Sequence, residues 1–168
     1  GLNGELVNLG KNPTAIMNLQ MFRYALLGGA GNTLGLVLLM CRSKSKHISS
    51  IGRLSIVPGI CGINEPIMFG APIVLNPIMF IPFVFVPVVN AIIGYFATSW
   101  GLVNHLVVLN SGVEPIFVNA WVLGAFTLSP VILCIVLFIL DLVLYYPFVK
   151  LQIKQNTLEA QNEGAAVE

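Results

Sequence analysis

The most restrictive feature of this sequence is a long apolar segment that proline interrupts repeatedly. Residues 55–100 read SIVPGICGINEPIMFGAPIVLNPIMFIPFVFVPVVNAIIGYFATSW, with prolines at positions 58, 66, 72, 77, 82 and 87. Each interior proline removes a backbone donor and clashes with the preceding turn, so a single straight helix cannot run through the segment. Irregular backbone at membrane depth is tolerated only where it is buried in protein or lines a watery cavity. The segment therefore predicts broken helices inside a membrane.

The composition supports a chain that lies mostly in lipid. Hydrophobic residues make up 57% of it and charged residues only 9%, whereas soluble proteins average about 25% charged residues. The net charge of +1 is too small for binding the phosphate backbone of a nucleic acid, and the low charge also excludes disorder. Cys41, Cys61 and Cys134 have no CxxC spacing, so we expect buried free thiols, no metal and no cofactor.

Hydrophobic runs of about 20 residues predict the membrane spans. We expect spans at about 22–41, 78–99 and 121–147, the last with a kink near Pro130, and a re-entrant hairpin at 55–77. The remaining stretch, 101–119, is either an extracytoplasmic connection or a second re-entrant element. The predicted fold class is an all-α integral membrane protein with broken helices and re-entrant hairpins.

Glycines interrupt the first predicted span, which contains GGAGNTLGLVLLM at 28–40. Their spacing does not fit the dinucleotide fingerprint GxGxxG, and no predicted strand precedes them. Gly31 and Gly35 instead form a small-xxx-small pair, which favours close backbone packing within a membrane.

Two basic segments indicate the orientation of the chain. The stretch RSKSKHISSIGR at 42–53 carries four of the eight Lys and Arg residues, and Lys150 and Lys154 follow the last predicted span. Basic flanks of membrane spans face the cytoplasm, which requires an even number of crossings between them. His47 is either a functional group, such as a phosphoryl carrier or pH switch, or a bystander in a solvated loop. We expect residues 155–168 to form a disordered cytoplasmic tail after a membrane domain at 1–154.

Three acidic residues fall within the apolar body, where an ionisable side chain costs about 2.5–3.5 kcal/mol on insertion scales. Asp141 lies in a regular apolar run, and it is either a functional group or the partner in a hydrogen bond that packs helices together. Glu114, in the turn-like SGVEP, is either solvated or functional, and Glu-Pro-Ile at 114–116 repeats the triplet at 65–67. Glu65, in GINEP at the predicted hairpin tip, is the strongest candidate for a ligand-binding group.

A carboxylate beside an amide provides both hydrogen-bond acceptors and donors for paired hydroxyl groups. Glu65 and Asn64 displayed from unwound backbone in a cavity would suit a sugar, whose ring face also packs on an aromatic side chain. Trp121 and Trp100 are the available tryptophans, and either is a sugar platform or an anchor at the membrane interface. No nucleophile and base pair or metal-ligand cluster indicates a catalytic residue.

The stretches 59–84 and 28–40 resemble a known family, the membrane component IIC of the phosphoenolpyruvate-dependent sugar phosphotransferase system, in its lactose/cellobiose/diacetylchitobiose branch. The resemblance runs from Gly4 to about Lys154 and corresponds to the C-terminal part of such a permease, including its transport domain. A histidine that the family uses further upstream has no matching position in this sequence.

The resemblance implies a multi-pass permease of the bacterial inner membrane that binds a β-glucoside disaccharide of the cellobiose, chitobiose or lactose type. It implies that Glu65 contacts the sugar hydroxyl that receives phosphate, with Asn64 beside it, and we add Trp121 as a sugar-binding residue. The implied partners are the lipid bilayer, the IIA and IIB components and a second copy in a homodimer, with phosphoryl transfer performed by IIB. The alternative from the residues alone is an ion- or proton-coupled transporter in which Glu65 and Asp141 relay protons.

Overall fold

The fold consists of helices joined by tight turns, and its described part contains no β-strand. The computed structural model describes residues 5–6, 8–11, 23–24, 26–43, 45–71, 73–106 and 114–165, with side chains described up to residue 155. The helices are α1 (Thr33–Cys41), α2 (Lys46–Ile60), α3 (Glu65–Gly70), α4 (Pro77–Ser99), α5 (Ile116–Leu123) and α6 (Ser129–Ala165), with a 3₁₀ turn at Ile73–Leu75.

Helices α4 and α6 are long and apolar enough to cross a membrane. The spanning segments are Pro77–Ser99, with 23 residues, and Ser129–Gln155, with 27 residues. At 1.5 Å per residue, 23 residues reach about 35 Å, which exceeds the roughly 30 Å hydrocarbon core. Both helices display large exposed apolar side chains, among them Phe85 on α4 and Val143 on α6. The predicted all-α membrane fold built from broken helices is confirmed.

The proline-rich segment folds as short elements up to residue 76, followed by the long helix α4, which contains Pro82 and Pro87 in its interior. Helix α2 ends at Ile60, Gly62 adopts a positive φ of 79°, and α3 begins at Glu65 with a proline in its first turn. Proline is favoured there because the first helical N–H groups have no intrahelical partner. Asn76 then caps α4, since its side-chain oxygen accepts hydrogen bonds from the N–H groups of Ile78 and Met79. The sequence predicted a hairpin over 55–77, and the structure has a turn within it at 61–64.

The last apolar run differs from the single kinked helix predicted over 121–147. It forms α5 and α6, separated at Gly124–Leu128, and Pro130 lies in the first turn of α6. Ala125 and Phe126 adopt positive φ values of 53° and 61°, which interrupt the helix before the proline. Hydropathy alone does not reveal this break because the residues on both sides of it are apolar.

The first predicted span and the C-terminal tail also differ from expectation. Within the described residues of the span predicted at 22–41, the α-helix is Thr33–Cys41, and turns with left-handed backbone at 28–32 precede it. Helix α6 continues to Ala165, so most of the tail predicted to be disordered is helical. Residues 155–163 contain neither proline nor glycine, which allows the helix to continue.

The interior has two apolar clusters with polar side chains between them. One cluster includes Leu123, Leu133 and Leu137, and the other includes Val86 and Tyr145. Along α6, the boundary between the clusters falls between positions 137 and 145, where Asp141 is fully buried. The molecule therefore has a polar layer at the middle of its helical core.

Candidate functional site

The candidate site begins at a turn that three glycines make possible. Residues 28–32, called the glycine turn below, contain Gly28, Gly29 and Gly31 with φ between 84° and 92° and Asn32 with φ 53°. A Cβ at Gly31 would lie 2.2 Å from the Phe83 ring, so this close approach requires glycine. The turn brings backbone carbonyl groups to the α2–α3 hairpin.

The side chain of Asn64 joins the hairpin to the glycine turn. Its Nδ2 donates to the Ala30 carbonyl oxygen at 2.7 Å and lies 3.2 Å from the sulfur of Met68. A Cβ at Gly29 would lie 2.7 Å from Cγ of Asn64, so glycine is also required at this contact. Asn64 is 8% exposed. Because its amide donor is already bonded to the backbone, Asn64 positions the residue that follows it.

That following residue, Glu65, is the first residue of α3 and is exposed. In the described part of the chain its carboxylate makes no hydrogen bond or ion pair, although the neighbouring Asn64 is fixed at 2.7 Å from Ala30 O. The backbone at position 65 is thus held firmly while the carboxylate remains available. An available acceptor on a rigid support is well suited to binding hydroxyl groups.

A cavity of about 170 Å³ lies beside the hairpin turn. Its lining residues include Arg23, Ala30, Gly62, Glu114 and Asn119. Asn119 Nδ2 donates to Glu114 Oε2 at 3.3 Å, which orients the carboxylate. Sequence reasoning left Glu114 open between solvated and functional, and it did not consider Arg23 or Asn119. The repeated Glu-Pro-Ile triplet was the available signal for Glu114.

Trp121 is not among the described residues that line this cavity. Its indole N–H donates to the Phe126 carbonyl oxygen at 2.9 Å, and the two rings meet edge to face with centroids 5.0 Å apart. The side chain closes the α5–α6 turn and is 41% exposed. Trp100, which is 73% exposed at the end of α4, has the position of an interface anchor.

A second cavity, of about 190 Å³, lies at the other end of the α4–α6 pair. His47, Asn76 and Gln152 are among its lining residues, and Asn76 Nδ2 donates to Gln152 Oε1. This contact places the start of α4 beside the part of α6 that carries Lys150 and Lys154. Both basic segments therefore lie at the same end of the two spanning helices.

Asp141 lies in neither cavity and is fully buried between α1, α4 and α6. Among the described residues, no group of three His, Cys, Asp or Glu side chains could hold a metal ion. The first cavity offers hydrogen bonding and charge from one carboxylate, Glu114, one guanidinium, Arg23, and one amide, Asn119, whereas Asn64 and Glu65 lie beside it and are not among its lining residues.

Broken helices in an apolar fold, with the Glu65 carboxylate exposed at a helix break, are typical of membrane transport domains. A family model described as "Phosphotransferase system, EIIC" matches residues 2–87. The cellobiose-specific EIIC component of Lactococcus lactis subsp. lactis (strain IL1403) is 38% identical over 94% of this chain and 30% of its own length. The lactose-specific EIICB component of Streptococcus mutans serotype c is 40% identical over 94% of this chain and 28% of its own length.

A solved structure gives the same result. The crystal structure of the transporter ChbC, the IIC component from the N,N'-diacetylchitobiose-specific phosphotransferase system, matches 95% of this chain with a TM-score of 0.89 and 39% identity. The match covers 38% of the ChbC chain. The chain belongs to the phosphotransferase system EIIC family. It spans less than a third of the length of the two curated relatives named above.

Proposed function

We propose that this chain is the sugar-binding and translocating part of a phosphotransferase system permease. The observation that carries the proposal is the arrangement at the hairpin: the Glu65 carboxylate is available, the Asn64 side chain before it donates to Ala30 O at 2.7 Å, and a cavity lined in part by Arg23 and Glu114 adjoins the turn. Family membership supports the same function. The sugar class is a β-glucoside disaccharide of the cellobiose, chitobiose or lactose type, in line with the names of the relatives.

Each site residue has a role that follows from its chemistry. Glu65 accepts a hydrogen bond from the hydroxyl that becomes phosphorylated, and Asn64 positions it. Arg23 and Glu114 lie on the cavity wall, where a guanidinium donates to hydroxyl oxygens and a carboxylate accepts from hydroxyl groups. Trp121 remains a proposed aromatic contact for the sugar ring, on the exposed part of its side chain.

The partners follow from the phosphotransferase system. Several relatives are named EIICB, which supports a IIB component as the direct partner, with IIA supplying IIB. IIB carries out phosphoryl transfer, so no catalytic residue is assigned to this chain. We place residues 1–154 in the bacterial inner membrane as part of a multi-pass homodimeric permease, with the basic segments facing the cytoplasm.

The test uses a hybrid permease in which this chain replaces the matching segment of the L. lactis cellobiose-specific EIIC component. Replacing Glu65 with Gln removes a charged hydrogen bond worth about 1.5–3 kcal/mol, so sugar affinity should fall roughly 10- to 100-fold. Sugar binding is measured by calorimetry, and phosphoenolpyruvate-dependent phosphorylation is measured in membranes.

Glu5→Gln is the matched control because Glu5 is also exposed and lies outside the cavity. Its binding and phosphorylation should equal those of the unsubstituted hybrid. A folded hybrid that binds no disaccharide, or a Glu65→Gln variant with unchanged affinity, would contradict the proposed function.

A further inference from the structure

The polar layer in the middle of the core is not used by the function proposed above. Asn32, Asn90 and Asp141 are each 0% exposed. Asn90 Nδ2 donates to Asp141 Oδ1 at 2.8 Å and lies 3.5 Å from the Tyr24 carbonyl oxygen. Asn32 Nδ2 donates to the same carbonyl oxygen at 3.4 Å. The layer therefore joins α4 and α6 to the backbone just before the glycine turn.

Two oxygens of this layer make no hydrogen bond. Among the described residues, Asn90 Oδ1 and Asp141 Oδ2 are buried without a partner, although their side chains are already joined through the other atom of each. The Asn32 amide lies near the Asp141 carboxyl as well, but Oδ2 makes no hydrogen bond. An unsatisfied buried polar atom costs about 1–3 kcal/mol, and an unpaired buried charge costs more.

A neutral carboxylic acid at position 141 removes this conflict with no additional group. With a proton on Oδ2, Asp141 would supply the donor that Asn90 Oδ1 lacks, while Asn90 Nδ2 continues to donate to Asp141 Oδ1. No cationic side chain is buried in the described part of the chain. The other titratable groups buried nearby, Tyr24, Cys134 and Tyr145, are ordinarily uncharged near neutral pH.

The same helix supports the glycine turn at a second point. The Tyr145 hydroxyl donates to the Gly31 carbonyl oxygen, one turn of α6 beyond Asp141. A Cβ at Gly35 would lie 3.2 Å from Cβ of Asp141, so α1 and α6 are closely packed here. The carbonyl oxygen of Ala30, the residue before Gly31, accepts the hydrogen bond from Asn64. Helix α6 thus supports one side of the glycine turn, and the other side holds the residue before Glu65.

We propose that Asp141, as a neutral acid paired with Asn90, and Tyr145 are positioning residues that hold the glycine turn and thereby set the place of Glu65 in the sugar site. This inference rests on the proposed sugar-binding function. It assigns Asp141 a role that needs neither its negative charge nor proton transfer.

Replacing Asp141 with Asn or with Leu tests whether Asp141 acts as a neutral hydrogen-bonding partner of Asn90 or as a charged or proton-carrying group. Asn reproduces both hydrogen bonds of the neutral acid, so in the hybrid permease the disaccharide Kd should stay within about twofold. Leu removes both bonds and leaves Asn90 unpaired, so the Kd should rise at least about tenfold. The pH profile of binding should be the same for Asp141→Asn and the unsubstituted hybrid.

Replacing Tyr145 with Phe tests the second support. Loss of the hydroxyl leaves Gly31 O without its partner, and we expect the apparent KM for the sugar to rise about 3- to 10-fold. The rate at saturating sugar should be unchanged because IIB performs the transfer. Tyr146→Phe is the matched control, since Tyr146 is the adjacent residue and is 58% exposed.

The outcomes separate this inference from the proposed function. Loss of binding in Asp141→Asn equal to that in Asp141→Leu would overturn the neutral pair. Unchanged sugar affinity in both Asp141→Leu and Tyr145→Phe would overturn the positioning role. If the folded hybrid binds no sugar, the function fails, and the neutral pair is judged by thermal unfolding: Asp141→Asn should keep the unfolding temperature and Asp141→Leu should lower it.

Discussion

Backbone conformation at single positions determines whether the sugar site can form. Gly31 lies against Phe83 with φ 84°, and its carbonyl oxygen accepts from Tyr145. A side chain at this position would meet both a steric clash and an unfavourable φ. The glycine turn therefore depends on the lack of a side chain, in contrast to positions where glycine only relieves backbone strain.

Replacing Gly31 with Ala should destabilise the protein more than replacing Gly101 with Ala. Gly101 also has a positive φ, 71°, but a Cβ there would meet nothing within 4 Å. The backbone term is about 1–2 kcal/mol at both positions, and the clash at Gly31 adds about 1–3 kcal/mol. Thermal unfolding of the purified hybrid permease measures the difference, and equal shifts for the two variants would refute the steric argument.

The break between α5 and α6 is stabilised by a side chain within it. Trp121 donates to the Phe126 carbonyl oxygen across residues with left-handed backbone, and Thr127 Oγ1 donates to the Gly124 carbonyl oxygen at 2.6 Å. Both accepting carbonyl groups, those of Gly124 and Phe126, lie in the break beyond Leu123, the last residue of α5.

Replacing Trp121 with Phe should loosen this turn. The substitution retains an aromatic ring against Phe126 but removes one hydrogen bond, with an expected cost of about 1 kcal/mol in unfolding free energy. Trp100→Phe is the control because Trp100 is 73% exposed. Unfolding by denaturant in detergent provides the measurement. A Trp121→Phe variant as stable as Trp100→Phe would show that the indole N–H does not hold the turn.

The arrangement of the two spanning helices determines which ends of the molecule share a side of the membrane. Asn76 at the start of α4 contacts Gln152 on α6, and Trp100 follows the far end of α4. His47, in the first turn of the basic helix α2, lines the second cavity together with Asn76 and Gln152. Positions 47 and 154 should therefore face one compartment and position 101 the other.

Single cysteines at these positions test the arrangement. In a hybrid permease from which Cys41, Cys61 and Cys134 and the cysteines of the other segment have been removed, cysteines replacing His47 and Lys154 should react with an impermeant maleimide only in inside-out vesicles. A cysteine replacing Gly101 should react only in right-side-out vesicles, because α4 crosses the bilayer between positions 76 and 100. Labelling of positions 47 and 101 from the same side would contradict this topology.

The sequence was informative where local chemistry decides the structure. Apolar runs predicted lipid as the solvent, and Gly62 and Pro66 predicted a turn beside Glu65, because glycine and proline act on the backbone at their own positions. The break at Gly124–Leu128 was predicted only as a kink near Pro130, because the left-handed backbone of Ala125 and Phe126 has no local sequence signal of that kind.

Only the tertiary structure decided which turns meet and what surrounds each polar group. The contacts of Asn64 with Ala30, Tyr145 with Gly31 and Asp141 with Asn90 join residues 34, 114 and 51 positions apart. Such pairs depend on how helices pack, so no local pattern encodes them. The sequence alone thus established a membrane chain of broken helices, with Glu65 as the leading candidate for a ligand-binding group. Only the packing of the helices shows that Glu114 lies on a cavity wall and that Asp141 is paired with Asn90 in the core.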